Sequence, residues 1–331
     1  FASLPATARL SSVPAKEPQQ LQKQKVLAHM AKAAMAMPPQ KMGPQAVANL
    51  LNGFASAGWD DDALVEHLSS AARLLSKGAF TPAEVAMSLQ ALAVLHLPSS
   101  SLVEFFSRAA SLTSADRWSP EETANLAWTC AVLRLTDRAL LLIVCDALAR
   151  NLMAMNRDSL RQVHQFFTTC DLDPEMRAAA PSSLGLLQDL DASKCRQAFV
   201  SVASQVQSSQ LQQDVAETLR SLGIELTEES MDPATGYTLD IRINPFALAK
   251  VLPAAKSLTA LLSMPRIALE VDGPFHFRMR TQQPLGSTIL KRRHLRAIGY
   301  KLVSVPYWEW DKLKSRADKT RYLLDCLADD K

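Results

Sequence analysis

Three prolines at a constant interval constrain the fold of this chain more than any other feature. Pro44, Pro82 and Pro120 are spaced by 38 residues, and they precede the similar segments AVANLLNGFASAGW, EVAMSLQALAVLHL and ETANLAWTCAVLRL. A degraded fourth copy, RQVHQFFTTCDL, follows Asp158. Proline is favoured in the first turn of a helix, where its missing N–H has no hydrogen bond to lose. A period of this length is typical of stacked helical units.

Small and apolar residues recur in register within this period. Two alanine positions recur in the first helix of each unit: Ala48, Ala86 and Ala124, and Ala55, Ala93 and Ala131. A leucine recurs in the second helix, at Leu64, Leu102 and Leu140, and an aromatic residue, Phe80 or Trp118, precedes the next unit. Thr81 and Ser119 directly precede prolines and are predicted N-caps. Because one helical hairpin cannot bury its apolar face alone, we predict an α-helical-hairpin repeat solenoid over residues 41–172.

Composition favours a helical protein of more than one domain. The chain has 331 residues, 48% hydrophobic and 21% charged, and its formal net charge is only +3, so any nucleic-acid contact must rest on local charge. Its five cysteines form no CxxC pair, which favours a reducing compartment. The longest apolar run, Ala139 to Cys145, is far shorter than the roughly 20 residues of a membrane span. We therefore expect no membrane insertion.

The N-terminal arm, residues 1–40, is basic. Glu17 is the only acidic residue before Asp60, whereas six lysines and arginines lie in the same stretch. Together with scattered Ser, Ala and Pro, this pattern is typical of the end of an organellar transit sequence, followed by a helix. The alternative is a basic arm that binds a partner.

The last part of the chain follows a different pattern. Residues 173–204 lose the repeat and are interpreted as a linker or helical connection. An amphipathic helix is predicted from Ser208 to Leu222, and a second helix from Ser287 to Ile298. Short β-like runs are predicted at Ile224 to Thr227, Tyr237 to Ile243, Ile267 to Asp272 and Lys301 to Pro306. The order β-β-β-α-β predicts a small mixed sheet with flanking helices over residues 205–331.

Three motifs give this region a specific resemblance. GYTLDIRI, IALEVDGPFHF and TILKRRHLRAIGYKLVSVPYWEW follow one another with the order and spacing of the RAP domain. The repeats, clearest at Pro120 to Leu133, resemble octotricopeptide repeats and those of the FAST-kinase-domain family. The resemblance implies a multidomain α then α/β protein, in which a helical solenoid precedes a restriction-endonuclease-like mixed sheet. It also implies a role in organellar RNA metabolism, with RNA laid along the repeats; the alternative is a solenoid that binds protein.

The resemblance also implies a candidate catalytic site. In related nuclease folds two carboxylates from adjacent strands hold Mg²⁺, and Asp240 and Glu270 match those acids. Alternation along a strand places Asp272 on the same face as Glu270, where the usual lysine would stand. Lys291 is predicted to approach these acids, either as the catalytic lysine or in a structural ion pair. His276 is either a general acid or a histidine that holds the turn.

A basic stretch follows the EVDGPFHF motif. No acidic residue lies between positions 278 and 301. The predicted RNA contacts are Arg278, Arg280, Arg292, Arg293, Arg296 and Lys301, with Trp308 as a residue that could stack on a base. The alternative for this stretch is a solvated helix face. Phe277 and Trp310 are expected in the core, while the position of Phe275 is left open.

These features lead to a preferred function and two alternatives. We expect an RNA-binding protein of the mitochondrion, or alternatively of the chloroplast, that contacts messenger or ribosomal RNA and binds ribosomal or other proteins through its repeats. The first alternative is an RNA endonuclease that requires Mg²⁺ as its cofactor. The second is a structural subunit that makes no RNA contact.

Overall fold

The computed structural model describes residues 19–201, 208–244 and 266–328 of the chain. Helices come first, and a small sheet with its own helices follows. None of the helices within these ranges is long and apolar enough to cross a membrane. The predicted order of a helical part followed by a mixed α/β part is confirmed.

The repeats form two layers of stacked helices. Their helices are α1 Gln19–Ala36, α2 Pro44–Ser56, α3 Asp62–Leu74, α4 Pro82–Val94, α5 Ser101–Ser111, α6 Pro120–Leu133, α7 Arg138–Asn151 and α8 Arg157–Leu172. Helices α2, α4, α6 and α8 contact one another in turn and form the first layer. Helices α3, α5 and α7 form the second, so each repeat is a hairpin that packs on the next.

Local sequence signals fix the starts of the first-layer helices. Thr81 and Ser119 are N-caps, and each forms a capping box in which the glutamate three residues later, Glu84 or Glu122, accepts a hydrogen bond from the cap N–H. Such boxes satisfy backbone donors that a helix end leaves unpaired. The recurring alanines and second-helix leucines are all buried. The register read from the sequence is therefore the packing register of the solenoid.

The segment after the repeats is helical rather than a plain linker. Helix α9 covers Pro174–Ala179, and helix α10 covers Ser183–Val200. Helix α10 packs against α8, and its Leu184, Leu187 and Cys195 lie in the same apolar core as the repeats. This segment therefore continues the stack by one further helix.

A four-stranded mixed sheet forms the last part. Its elements are α11 Gln210–Ser221, β1 Leu226–Met231, β2 Thr238–Ile243, β3 Arg266–Asp272, α12 Gly286–Ala297, β4 Tyr300–Pro306, α13 Tyr307–Trp310 and α14 Arg316–Ala328. The strands lie in the order β1-β2-β3-β4, with β1, β2 and β3 antiparallel and β3 and β4 parallel through α12. The predicted β-β-β-α-β order is confirmed.

The first strand begins later than predicted. The N–H of Ile224 donates to the carbonyl of Leu219 at 3.3 Å, and Gly223 has a φ of +76°. Ile224 therefore belongs to the closing turn of α11, in which glycine adopts the left-handed conformation. The strand starts only at Leu226, where pairing with β2 becomes available.

Helix α12 lies between the sheet and the repeats and is buried from two sides. Leu295 packs on the sheet with Tyr237 and Ala268, whereas Leu290 lies in the apolar core of the repeats. At Gly286 an added Cβ would overlap the carbonyl oxygen of Ala93 on α4. Helix α12 therefore has two packing partners, the sheet and the repeats.

Candidate functional site: an acidic face closed by basic side chains

Glu270 and Asp272 lie on the face of β3 that α12 covers. Both are buried, with 3% and 1% of their surface exposed. Leu269 and Val271 point to the opposite face, into the core that α11 and α14 share with the sheet. This alternation confirms the side-chain directions predicted from the strand. It also means that two carboxylates are enclosed beneath a helix rather than displayed in an open cleft.

Glu270 is paired with Lys291 from α12. The ammonium group of Lys291 donates to Oε2 of Glu270, while Oε1 has no partner among the described residues. Burial raises the pKa of Glu270 to about 7, and the nearby Asp240 adds to this effect. Burial alone would lower the pKa of Lys291, but the charges of Glu270 and Asp240 raise it. The predicted approach of Lys291 to the acids is confirmed.

Asp272 accepts contacts from three groups. Nη2 of Arg292 lies 2.5 Å from its Oδ2, the hydroxyl of Ser304 donates to the same atom at 2.6 Å, and Nδ1 of His276 lies 3.0 Å from Oδ1. Burial alone would raise the pKa of Asp272, but His276, Arg292 and Ser304 hold it below its usual value. The contact with Asp272 in turn raises the pKa of His276. The negative charge of Asp272 is thus balanced by the side chains of Arg292 and His276, and it holds both in place.

Asp240 is the third acid of this face. Its Oδ2 accepts the backbone N–H of Val271 at 2.7 Å, which ties β2 to β3. Among the described residues, no group of three or more histidine, cysteine or carboxylate side chains could hold a metal ion. With Glu270 and Asp272 already bound to basic side chains, the acids do not fit the open oxygen site that Mg²⁺ requires.

His276 is the most exposed member of this network. Its side chain is 43% exposed, compared with 21% for Lys291 and 14% for Arg292. A histidine held by a buried carboxylate can keep a fixed ring orientation and donate to an anion. The arrangement can therefore present a single cationic donor to a phosphate, while the acids behind it remain closed.

Several arginines predicted to bind RNA join the sheet to the repeats. Nη2 of Arg278 donates to the carbonyl of His96 at 2.6 Å, and Arg280 pairs with Asp61 at 3.0 Å. Arg293 donates to the carbonyls of Ala131 and Val132 at the end of α6. Free carbonyls at a helix C-terminus carry partial negative charge that attracts cations. Arg278 and Arg293 therefore bind the ends of the first-layer helices α4 and α6, whereas Arg280 binds the start of α3.

Arg296, Lys301 and Trp308, which were also predicted to contact RNA, lie in different surroundings. Arg296 is exposed on α12. Lys301 donates to the carbonyl of Leu327 at 3.0 Å. Trp308 is half-buried, with its ring centre 4.3 Å from that of Phe277 in an edge-to-face contact. Phe277 and Trp310 are buried as predicted, whereas Phe275 is 87% exposed.

A polar cleft on the first layer of helices was not predicted. It has a volume of about 510 Å³, and it lies over α4, α6 and α8. Gln90 and Gln162 both donate to Oδ1 of Asn125, at 2.8 and 3.0 Å, and the indole N–H of Trp128 donates to Gln165 at 2.9 Å. We call the site formed by these five residues the amide cleft. The sequence feature that could have located it is the presence of amide side chains within otherwise apolar helices.

Comparison with known proteins identifies the C-terminal part. The family model described as the RAP domain matches residues 269–325. These residues include the acids of β3, helix α12 and strand β4. The RAP resemblance predicted from the sequence is confirmed, and the chain carries a RAP domain.

Three relatives show how far the similarity extends. A chloroplastic RAP domain-containing protein of Oryza sativa subsp. japonica is 33% identical over 128 residues, covering 38% of this chain and 17% of that protein. The mitochondrial FAST kinase domain-containing protein 3 of Bos taurus is 38% identical over 87 residues, covering 26% and 13%. FAST kinase domain-containing protein 4 of Mus musculus is 35% identical over 129 residues, covering 35% and 20%.

The matched part of the chain thus spans no more than a fifth of the length of any of these three relatives. The names of two relatives place them in the chloroplast and the mitochondrion. The sequence predicts one of these two organelles, and the organellar localisation is confirmed at that level.

Proposed function

We propose that this chain is an RNA-binding unit of an organellar RNA-metabolism protein, and that it binds RNA without cutting it. The observation that carries the second half of the proposal is the closure of the acidic face. Glu270 and Asp272 are buried and bound to Lys291 and Arg292. Breaking such contacts to admit a metal would leave buried charges unpaired, which is strongly unfavourable.

The amide cleft supports the first half of the proposal. Side-chain amides carry both donors and acceptors, the groups that read the edges of unpaired bases. Phe199 and Ser287 also line the cleft, so α10 and the start of α12 border it. A single strand laid across α4, α6 and α8 would therefore meet amides from the repeats and groups from the RAP domain. Only a few nucleotides would be in contact, which implies a further contribution from elsewhere in the full protein.

Binding of single-stranded RNA, followed by fluorescence anisotropy at several salt concentrations, tests this proposal. We expect measurable binding that weakens as salt rises, because phosphate contacts release counterions. Gln162→Ala is expected to weaken binding by about fivefold, the effect of one lost hydrogen bond. Gln213→Ala is the matched control, because this exposed glutamine lies on α11. Absence of RNA binding by the unsubstituted chain would refute the proposal.

The finer role proposed here is contact with a messenger or ribosomal RNA. Organellar ribosomal or other proteins would then bind the layer of the repeats that is formed by α3, α5 and α7. Sedimentation of organelle extracts on a density gradient separates the two cases. Comigration with a ribosomal subunit indicates a ribosomal RNA target, whereas sedimentation apart from both subunits indicates a messenger RNA factor.

A further inference from the structure

An exposed aromatic side chain stands beside the acidic face. Phe275 follows β3 in the turn that begins at Gly273, and 87% of its surface is exposed. The neighbouring Phe277 is only 7% exposed. A large apolar ring in water is informative when it borders a pocket, because such positions often contact ligands.

Phe275 borders a pocket that both parts of the chain build. The pocket has a volume of about 480 Å³, within the range of small-molecule sites. The repeats contribute Ala55 and Val94, and the RAP domain contributes Phe277 and Leu285, so the floor is apolar. The N–H of Met279 donates to the carbonyl of Gly58 at 2.7 Å and holds the two walls together. The pocket therefore exists only when the RAP domain is docked on the repeats.

The charged residues that line this pocket are both basic. Lys23 and Arg278 line it, and none of the lining residues that the structure describes is acidic. Lys23 is exposed on α1, a helix whose sequence contains lysines and no acid. The Nε atom of Arg278, a residue that is 8% exposed, has no hydrogen-bond partner among the described residues. An apolar floor with an exposed lysine at its edge complements a ligand that is flat and apolar at one end and anionic at the other.

We propose that this pocket binds one nucleotide of a single-stranded RNA, with its base stacked on Phe275 and its phosphate beside Lys23. This inference rests on the proposed RNA-binding function and adds a second contact point to it. Stacking on an aromatic ring is available to every base, and lysines on the same helix can meet neighbouring phosphates. An apolar peptide would use the floor and leave the charge of Lys23 without a partner, so this charge favours a nucleotide.

Substitution of Phe275 tests the stacking contact in the RNA anisotropy assay. Phe275→Ala is expected to lower the affinity for single-stranded RNA by about tenfold, the effect of losing one stacked base. Phe275→Trp is expected to keep the affinity, because the indole supplies a larger ring. Leu112→Ala is the matched control, since Leu112 is 73% exposed after α5 and remote in sequence from the pocket. The high exposure of Phe275 means that these changes leave the fold intact.

Substitution of Lys23 tests the phosphate contact separately. Lys23→Ala is expected to reduce the slope of log affinity against log salt by about one, the loss of a single phosphate contact. Phe275→Ala is expected to leave that slope unchanged. Equal slopes for Lys23→Ala and the unsubstituted chain would contradict the placement of the phosphate.

Photocrosslinking identifies the occupant directly. RNA containing 4-thiouridine is expected to crosslink to the peptide that holds Phe275, and adenosine monophosphate at a concentration matching the RNA should not prevent it. If the mononucleotide abolishes the crosslink, the pocket prefers a free nucleotide to an RNA strand, and the pocket proposal is wrong. If RNA binds but Phe275→Ala has unchanged affinity and no crosslink forms there, the pocket proposal is wrong and the proposed function stands. If the unsubstituted chain does not bind RNA, both are wrong.

Discussion

At the scale of single residues, the acidic face formed by Asp240, Glu270 and Asp272 is defined by ion pairs that lie beneath helix α12. Glu270 faces Lys291 and Asp272 faces Arg292 and His276, so each buried acid has a basic contact. Buried ion pairs contribute little net stability, but removal of one partner is costly because it leaves the other charge alone in an apolar interior. This asymmetry keeps the face closed even though burial raises the pKa of Glu270 to about 7.

His294 provides a second buried contact, between the RAP domain and the repeats. Its Nε2 lies 2.8 Å from Oγ1 of Thr169 on α8, and its Nδ1 lies 3.2 Å from the hydroxyl of Tyr237. The hydroxyl of Thr169 already donates to the carbonyl of Gln165 at 2.8 Å. Nε2 of His294 is therefore the donor to Thr169, and Nδ1 accepts from Tyr237. The network requires a neutral ring.

We predict that His294 makes the protein less stable in acid. Burial, with added repulsion from Arg293 and His164, lowers the pKa of His294 from 6.5 to about 3. Below pH 6.5 His294 therefore binds a proton in the unfolded chain but not in the native chain, so the free energy of unfolding falls as the pH drops towards 3. The loss from this group is roughly 1.4 kcal/mol per pH unit.

Urea unfolding near neutral pH and near pH 5 measures this effect. The unsubstituted chain should lose about 2 kcal/mol more stability than His294→Gln between the two conditions. Taking the difference between the two proteins removes the contribution of groups that titrate in both. An equal loss in both proteins would contradict the neutral, buried histidine.

At the scale of elements, α12 is the helix on which the arrangement depends. One side supplies Lys291 and Arg292 to the sheet, and the other supplies Leu290 and Arg293 to the repeats. Gly286, at its start, lies against the carbonyl of Ala93 and the side chain of Val132. Any side chain at this position would push the helix away from both α4 and α6.

Gly286→Ala is therefore predicted to lower the free energy of unfolding by about 1–3 kcal/mol, the usual effect of overpacking. Gly53→Ala is the control, because Gly53 is exposed within α2 and an added Cβ there meets nothing within 4 Å. Its replacement should raise stability by roughly 0.5–1 kcal/mol through helix propensity. A Gly286→Ala protein as stable as Gly53→Ala would show that the helix is not held as closely as described.

Most elements could be predicted from local signals. The prolines, the caps Thr81 and Ser119 and the alternation in β3 are local patterns, and the structure follows them. The two-sided burial of α12 could not be predicted, because a helical wheel shows which residues share a side but not how many partners the helix has. Helix α10 was missed as part of the stack for the same reason, since its contacts come from α8.

At the scale of the whole molecule, the repeats and the RAP domain are joined by direct side-chain contacts. Arg278 and Arg293 donate to carbonyls at the ends of α4 and α6, and Arg280 pairs with Asp61, the N-cap of α3. These basic side chains have acceptors that lie far away along the chain, and a local sequence pattern does not show such acceptors. The amide cleft and the Phe275 pocket, which also depend on docking of the two parts, could not be located from local patterns.

The proposal that RNA is bound but not cut depends on the closure of the acidic face. The most direct test incubates labelled single-stranded RNA with the chain in the presence of Mg²⁺ and follows its length on a denaturing gel. We predict that the RNA is bound and stays at full length, with the same result for Asp240→Ala and Glu270→Ala. Mg²⁺-dependent shortening of the RNA that disappears in both variants would contradict the proposal and establish a nuclease.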